Sequence, residues 1–256
     1  MRTDANQSLN VLLLIFIFII SAVSQAQETT VMIRVQSKDA KFIGSSIGGA
    51  KIIVKDDLTG SILAEGITKG STGNTEIIMV KPRLRGDVIT DENTAGFLAK
   101  LEITEPVFVT IEATAPVNKK QASVKATTQL WVLPGKHIGG DGIILEVPGF
   151  VVDILSPQTH ETIPGGKEIS IAANVVLMCG CPVTSGGMWN ADTYEVNALI
   201  TKVGEEPKTI PLKIQDKPST FAGIINLNSG IYEIIVYAFD PLTGNTGLDK
   251  TNIIIP

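Results

Sequence analysis

Cysteine and histidine are nearly missing from this chain, with two of each in 256 residues. A scaffold built from disulfides is therefore excluded. So few imidazoles also leave little material for histidine-based catalysis. No H-E-x-x-H, P-loop or G-x-G-x-x-G motif occurs. Basic charge is short as well: 21 Lys and Arg stand against 26 Asp and Glu, for a net charge of −5. Nucleic acid would want a basic face and anionic lipid a basic patch; mild acidity with scattered Lys argues against both, and Lys81-Pro-Arg-Leu-Arg85, the one small basic patch, reads as a solvated loop. Beyond residue 26 no apolar run is long enough to span a bilayer. Long helical periodicity is absent too. Glycosylation sequons are lacking after residue 26, the one match being Asn6-Gln-Ser8. That lack favours a bacterial envelope over a eukaryotic secretory route.

What is present begins with Val11-Leu-Leu-Leu-Ile-Phe-Ile-Phe-Ile-Ile20, preceded by Arg2 and followed by small residues. Ser24 and Ala26 fit the −3 and −1 positions of a cut after Ala26, the layout of a secretory signal peptide over residues 1–26. A spanning helix needs ~20 apolar residues. The run here has ten, so cleavage is expected, with an uncleaved N-terminal anchor as the alternative. Periplasmic or extracellular placement follows.

The rest reads as all-β, in two consecutive domains of ordinary size. In 29–134, Val31, Ile33 and Val35 alternate with other residues. Lys51–Lys55 and Ser61–Glu65 flank the turn Asp56-Asp-Leu-Thr-Gly60. Glu76–Val80, Gly96–Ile103, Val107–Ala115 and Ala122–Leu133 complete the strands. Residues 135–149, rich in glycine and proline, read as a short packed linker. In 150–256 the dominant stretch is Gly230–Asp240, with Tyr232, Ile234, Val236 and Ala238 on one face. After the turn at 241–247, Asn252–Ile255 returns as a hairpin.

Gly49-Ala-Lys-Ile-Ile-Val-Lys-Asp-Asp-Leu-Thr-Gly60, then Leu63-Ala-Glu-Gly-Ile-Thr68, resembles the opening of carboxypeptidase-regulatory-like, transthyretin-like domains, which implies a small β-sandwich. Val151-Val-Asp-Ile-Leu-Ser-Pro157, Thr162-Ile-Pro-Gly165, Glu168–Asn174 and the Gly230–Asp240 strand are similar to bacterial Ig-like modules. That resemblance would put Tyr232 at a tyrosine corner, its hydroxyl on nearby backbone.

Cys179-Gly180-Cys181 is the least explained by packing. On an extended strand, thiols at i and i+2 point the same way. Two readings stay open. One is a Cys179–Cys181 disulfide, as an oxidising compartment favours. The other is a soft-metal site for Cu(I), with Met178, Met188 and His160 or His137 adding donors. The second is similar to the Cys-x-Cys of copper-delivery assembly factors of cytochrome oxidase, which carry an aromatic residue where Gly180 stands here. No other cofactor is expected.

Gly44-Ser-Ser-Ile-Gly48 matches G-x-S-x-G by letter, but a strand follows Ser46 rather than a helix, so a loop is expected. Arg85-Gly-Asp87 matches the integrin-binding tripeptide, as three-residue matches often do by chance. Asp141, Asp240 and Asn245 carry oxygens suited to calcium, yet turn chemistry accounts for them. The second face of the late strand carries Ile231, Ile235, Tyr237 and Phe239, with Glu233 its one charge. An apolar outer face of that kind marks a contact surface. It is expected to pack on the first domain or on another subunit. The expectation is thus a non-catalytic binding or structural protein. Its partner would be another protein of the cell envelope or a second copy, and no nucleic acid is expected.

Overall fold

The computed structural model describes residues 26–256. The leader reading for residues 1–26 therefore lies, but for Ala26, outside the described residues. Among the described residues no helix is long and apolar enough to cross a membrane.

The chain is all-β. Strands β1 (Gln27–Ser37), β2 (Lys51–Asp56), β3 (Ile62–Ile67), β4 (Phe97–Ile103), β5 (Val107–Ala115), β6 (Val124–Val132) and β7 (Ile138–Val147) form the first sandwich. Its sheets run β4-β1-β7 and β3-β2-β5-β6. Period-2 alternation drives their facing: Val31, Ile33 and Val35 point inward against Ile52, Val54, Val109 and Ile111.

The second sandwich holds β8 (Phe150–Ser156), β9 (Glu161–Thr162), β10 (Glu168–Leu177), β11 (Glu195–Lys202), β12 (Lys208–Pro211), β13 (Lys213–Ile214), β14 (Thr220–Asn226), β15 (Gly230–Phe239) and β16 (Thr246–Ile255). Its sheets run β13-β14-β10-β8 and β12-β11-β15-β16-β9. Lettered in chain order, these are D-E-B-A and C′-C-F-G, with β9 a short parallel addition to G. That is the Ig arrangement. Tyr232 closes it: its hydroxyl donates to the Asn228 carbonyl at 2.9 Å, the tyrosine corner of an Ig F strand. Tyr232, Ile234, Val236 and Ala238 are all buried, as their alternation predicts.

Two expectations change. The glycines at 139, 140 and 142 do not form a linker; they sit inside β7, which pairs in parallel with β1. The register slips between Val31↔Ile138 and Ile33↔Ile143, so Gly139–Gly142 is a bulge. Gly140 and Gly142 supply its positive φ values of 62° and 69°. The second change concerns Glu76–Val80, which is a π-helical turn rather than a strand. Its five apolar-rich residues carry strand-like composition. Their neighbour Asn74 overrides it, its carbonyl accepting from Ile78 N at 3.0 Å and its side chain from Ile77 N at 3.2 Å. The turn packs Ile77, Ile78 and Met79 over Phe42, Ile89 and Ile144.

Candidate functional site

The two sandwiches meet along a junction of apolar burial and specific polar contacts. Val151 and Met178 of the second half bury themselves in the first core. Ala40 of the first half enters the second core. Polar contacts fix the angle. The Trp189 indole N–H donates to the Asp39 carbonyl at 2.9 Å. Asn245 spans the junction, accepting from Gly149 N at 2.8 Å and donating to the Lys38 carbonyl at 3.2 Å. On the flank, Lys119 pairs with Asp153 at 2.8 Å and Gln121 donates to the same carboxylate at 2.7 Å.

Beside that junction opens an apolar cleft of about 470 Å³. One wall is Gln121–Val124, the short turn that leads into β6. The other is Tyr237 and Phe239 from β15 with Leu248 from β16, and Pro148–Phe150 is the floor. Floor and far wall approach closely because Gly247 has no Cβ; one added there would meet the Phe150 carbonyl. Phe150 is held from behind by Tyr194, edge-on at a centroid distance of 5.0 Å. Burial, with Asp240 and then Asp39 adding, pushes the Tyr194 phenol up to about 12. Burial and then Asp240 likewise raise the Asp39 carboxyl above the usual carboxylate range. Acceptors therefore crowd the back of the junction, while the cleft itself is lined mostly by carbon.

The residues expected on the contact face divide. Tyr237 and Phe239 line the cleft, opposite a wall of the first sandwich. Ile235 is half-buried on the same face, and Ile231 is exposed beyond it. Across the ladder, Tyr237 stands beside Leu248 and Asn197, and Ile235 beside Lys250 and Leu199. Sequence reasoning missed the near wall. Nothing in Gln121-Ala-Ser-Val124 marks it except its position after the proline-bearing corner at 115–116.

Cys179 and Cys181 lie elsewhere, buried in the second core. They are paired as a disulfide, with Cα atoms 5.3 Å apart. The backbone is not extended there: Gly180 has φ 76° and its N–H donates to the Leu177 carbonyl, turning the chain. The metal set is not assembled. Met178 is buried in the other core and Met188 is exposed. His160 lies against Asn252 at the β16 edge, and His137 against Thr30 of β1. Among the described residues no group of three His, Cys, Asp or Glu is placed to hold a metal. Ser46 sits in an exposed 3-10 turn, Ser45–Ile47, ahead of β2. Asp141 and Asp240 serve backbone and hydroxyl donors, Asp141 those of Ile89 and Thr90, Asp240 those of Leu242 and Thr243. Asp87 accepts from the Leu84 N–H.

No protein-family model and no curated protein matches the chain. Among solved structures it is similar to the fibronectin(III)-like modules of CbhA from Clostridium thermocellum, at 11% identity and a TM-score of 0.30, over 92% of each chain. It is also similar to titin domains Z1Z2 in complex with telethonin, at 12% identity and a TM-score of 0.26, over 91% of this chain and 98% of that one. A fragment of the ICAM-5 ectodomain, D1–D4, shares 8% identity at a TM-score of 0.29, over 91% of this chain and 50% of that one.

Proposed function

We propose that this chain is an exported, non-catalytic binding protein that takes hold of a protein partner in the cleft between its two β-sandwiches. The observation that carries this reading is the cleft itself, a space of about 470 Å³ walled by Tyr237, Phe239 and Leu248. Clefts of this size at domain junctions, mostly apolar with a few polar groups at the rim, are where proteins place binding sites. Aromatic residues are the usual anchors of protein contacts, because they bury large area at little entropic cost. Gln121, Ser123 and Thr246 supply the polar rim. Export is supported by the leader-like residues 1–26 and by the closed Cys179–Cys181 pair, which an oxidising compartment favours.

The test compares wild type with Tyr237→Asp in retention of a partner from envelope extract. A buried aspartate in the cleft should weaken a contact anchored there by ~30-fold or more, about 2 kcal/mol. Equal retention by both proteins, with equal resistance to proteolysis, contradicts the reading. A second copy as partner would show as a mass doubled by light scattering in wild type and single in the variant.

A further inference from the structure

The end of the first sandwich remote from the junction carries four large apolar side chains in the open. β1 runs from Gln27 to the junction at Ser37, and β6 runs from the cleft at Val124 to Val132. The start of β1, the turn at 56–60 and the turn at 133–136 therefore share the remote end. Gly135 N donates to Thr29 Oγ1 there, joining the 133–136 turn to β1, and Asp57 N ties the 56–60 turn to the Phe108 carbonyl of β5, each at 2.9 Å. On this end Leu58 is 93% exposed, Trp131 62%, Ile62 56% and Leu133 45%. Phe108 props the Trp131 ring at a centroid distance of 5.2 Å, so the indole is held outward rather than loose. Turn tips are ordinarily polar; a leucine at the apex of Asp56-Asp-Leu-Thr-Gly60 contributes nothing to the core.

The same end is where the chain leads back toward its apolar N-terminal run. Six residues, Ser21 to Ala26, separate Ile20 from the first residue of β1. Six residues span at most about 20 Å. A chain that keeps that run in a bilayer thus holds Leu58, Trp131 and Leu133 within reach of the lipid surface. Tryptophan is favoured at that depth, its ring apolar and its N–H wet.

We propose that the N-terminal apolar segment is kept as an anchor, the alternative to cleavage after Ala26, and that this end of the molecule then seats on a lipid bilayer with Trp131, Leu58 and Leu133 at headgroup level. The border carries Glu28, Asp57, Glu102 and Glu105 beside Lys100 and Lys136, so no basic patch drives the contact. Seating is apolar and does not require anionic lipid.

The chain reports on itself, because its two tryptophans differ. Trp131 is on the proposed surface, and Trp189 is buried at the junction. The experiment reconstitutes the full chain, leader intact, into phosphatidylcholine vesicles whose acyl chains are brominated near the headgroup. The Trp131 emission, taken as the difference from Trp131→Phe, should fall by about half or more. Leu58→Ser with Leu133→Ser, both exposed and not needed for folding, should at least halve that quenching. Replacing a third of the lipid by an anionic one should leave it unchanged. Vesicle-bound protein with unquenched Trp131 overturns the proposal. So does failure to float with vesicles, or a doubled mass in which Trp131 is shielded by a second copy.

Discussion

Tyr194 stands behind the cleft floor with a phenol whose ionisation burial opposes, so its folded value is about 12. An unfolded tyrosine ionises near 10. An acid whose folded value is raised contributes stability that is present below its unfolded value and lost as pH rises through the folded one. Stability should therefore fall between pH 10 and 12, and Tyr194→Phe should flatten that fall while leaving the melting temperature at pH 7 nearly unchanged. Melting curves across that range are the check; an equally steep loss in the variant refutes the assignment. Other single residues show where the sequence stops being legible. Cys179 and Cys181 are readable as a pair, but whether they bond depends on the φ of Gly180. That angle is set by the turn from Leu177 to Cys181, closed by hydrogen bonds no spacing rule displays. Tyr232 is the opposite case. Its burial follows from alternation along the strand, while its corner bond to the Asn228 carbonyl follows from the resemblance to Ig-like modules.

At the scale of elements, β7 repays attention because its composition misleads. Glycines at 139, 140 and 142 look like a short linker, yet they form a bulge in β7 at Asp141. The Asp141 carboxylate then gathers the loop ahead of β4: it accepts from Ile89 N at 3.1 Å, Thr90 N at 3.0 Å and the Thr90 hydroxyl at 2.7 Å. This loop and the Glu76–Val80 turn cover the outer face of the β4-β1-β7 sheet. Arg34 lies buried beneath them, donating to the carbonyls of Thr94 and Ala95. Burial lowers the Arg34 guanidinium from its ordinary value, with Asp141 and Asp91 opposing. Asp141→Ala should cost about 2–3 kcal/mol, the scale for losing hydrogen bonds to a charged acceptor. It should also speed amide exchange through residues 84–95 ahead of the rest of the sandwich. Exchange that stays uniform would show that the loop is held by its apolar contacts alone. The strands Val107–Ala115 and Gly230–Phe239 were legible because alternation and turn chemistry agree there. Glu76–Val80 was not, since four consecutive apolar residues fit a strand or a buried turn equally well.

For the whole molecule, the inventory of two sandwiches is local information, written in strand periods and turns. Their relation is not. Trp189 with Asp39, Asn245 with Lys38 and Gly149, and Lys119 with Asp153 are contacts between residues far apart in sequence, and nothing in the composition of either half pairs them. The apolar face of β15 was visible from sequence, and the junction is what turns part of it into a cleft wall. The binding account depends on that junction being fixed, since walls on two freely jointed bodies would not define one space. Backbone ¹⁵N relaxation on the described chain, residues 26–256, measures this most directly. Amides of β5 and β15 should report one rotational correlation time, that of a single rigid body of the full mass. Two distinct, shorter times, one for each sandwich, would contradict it.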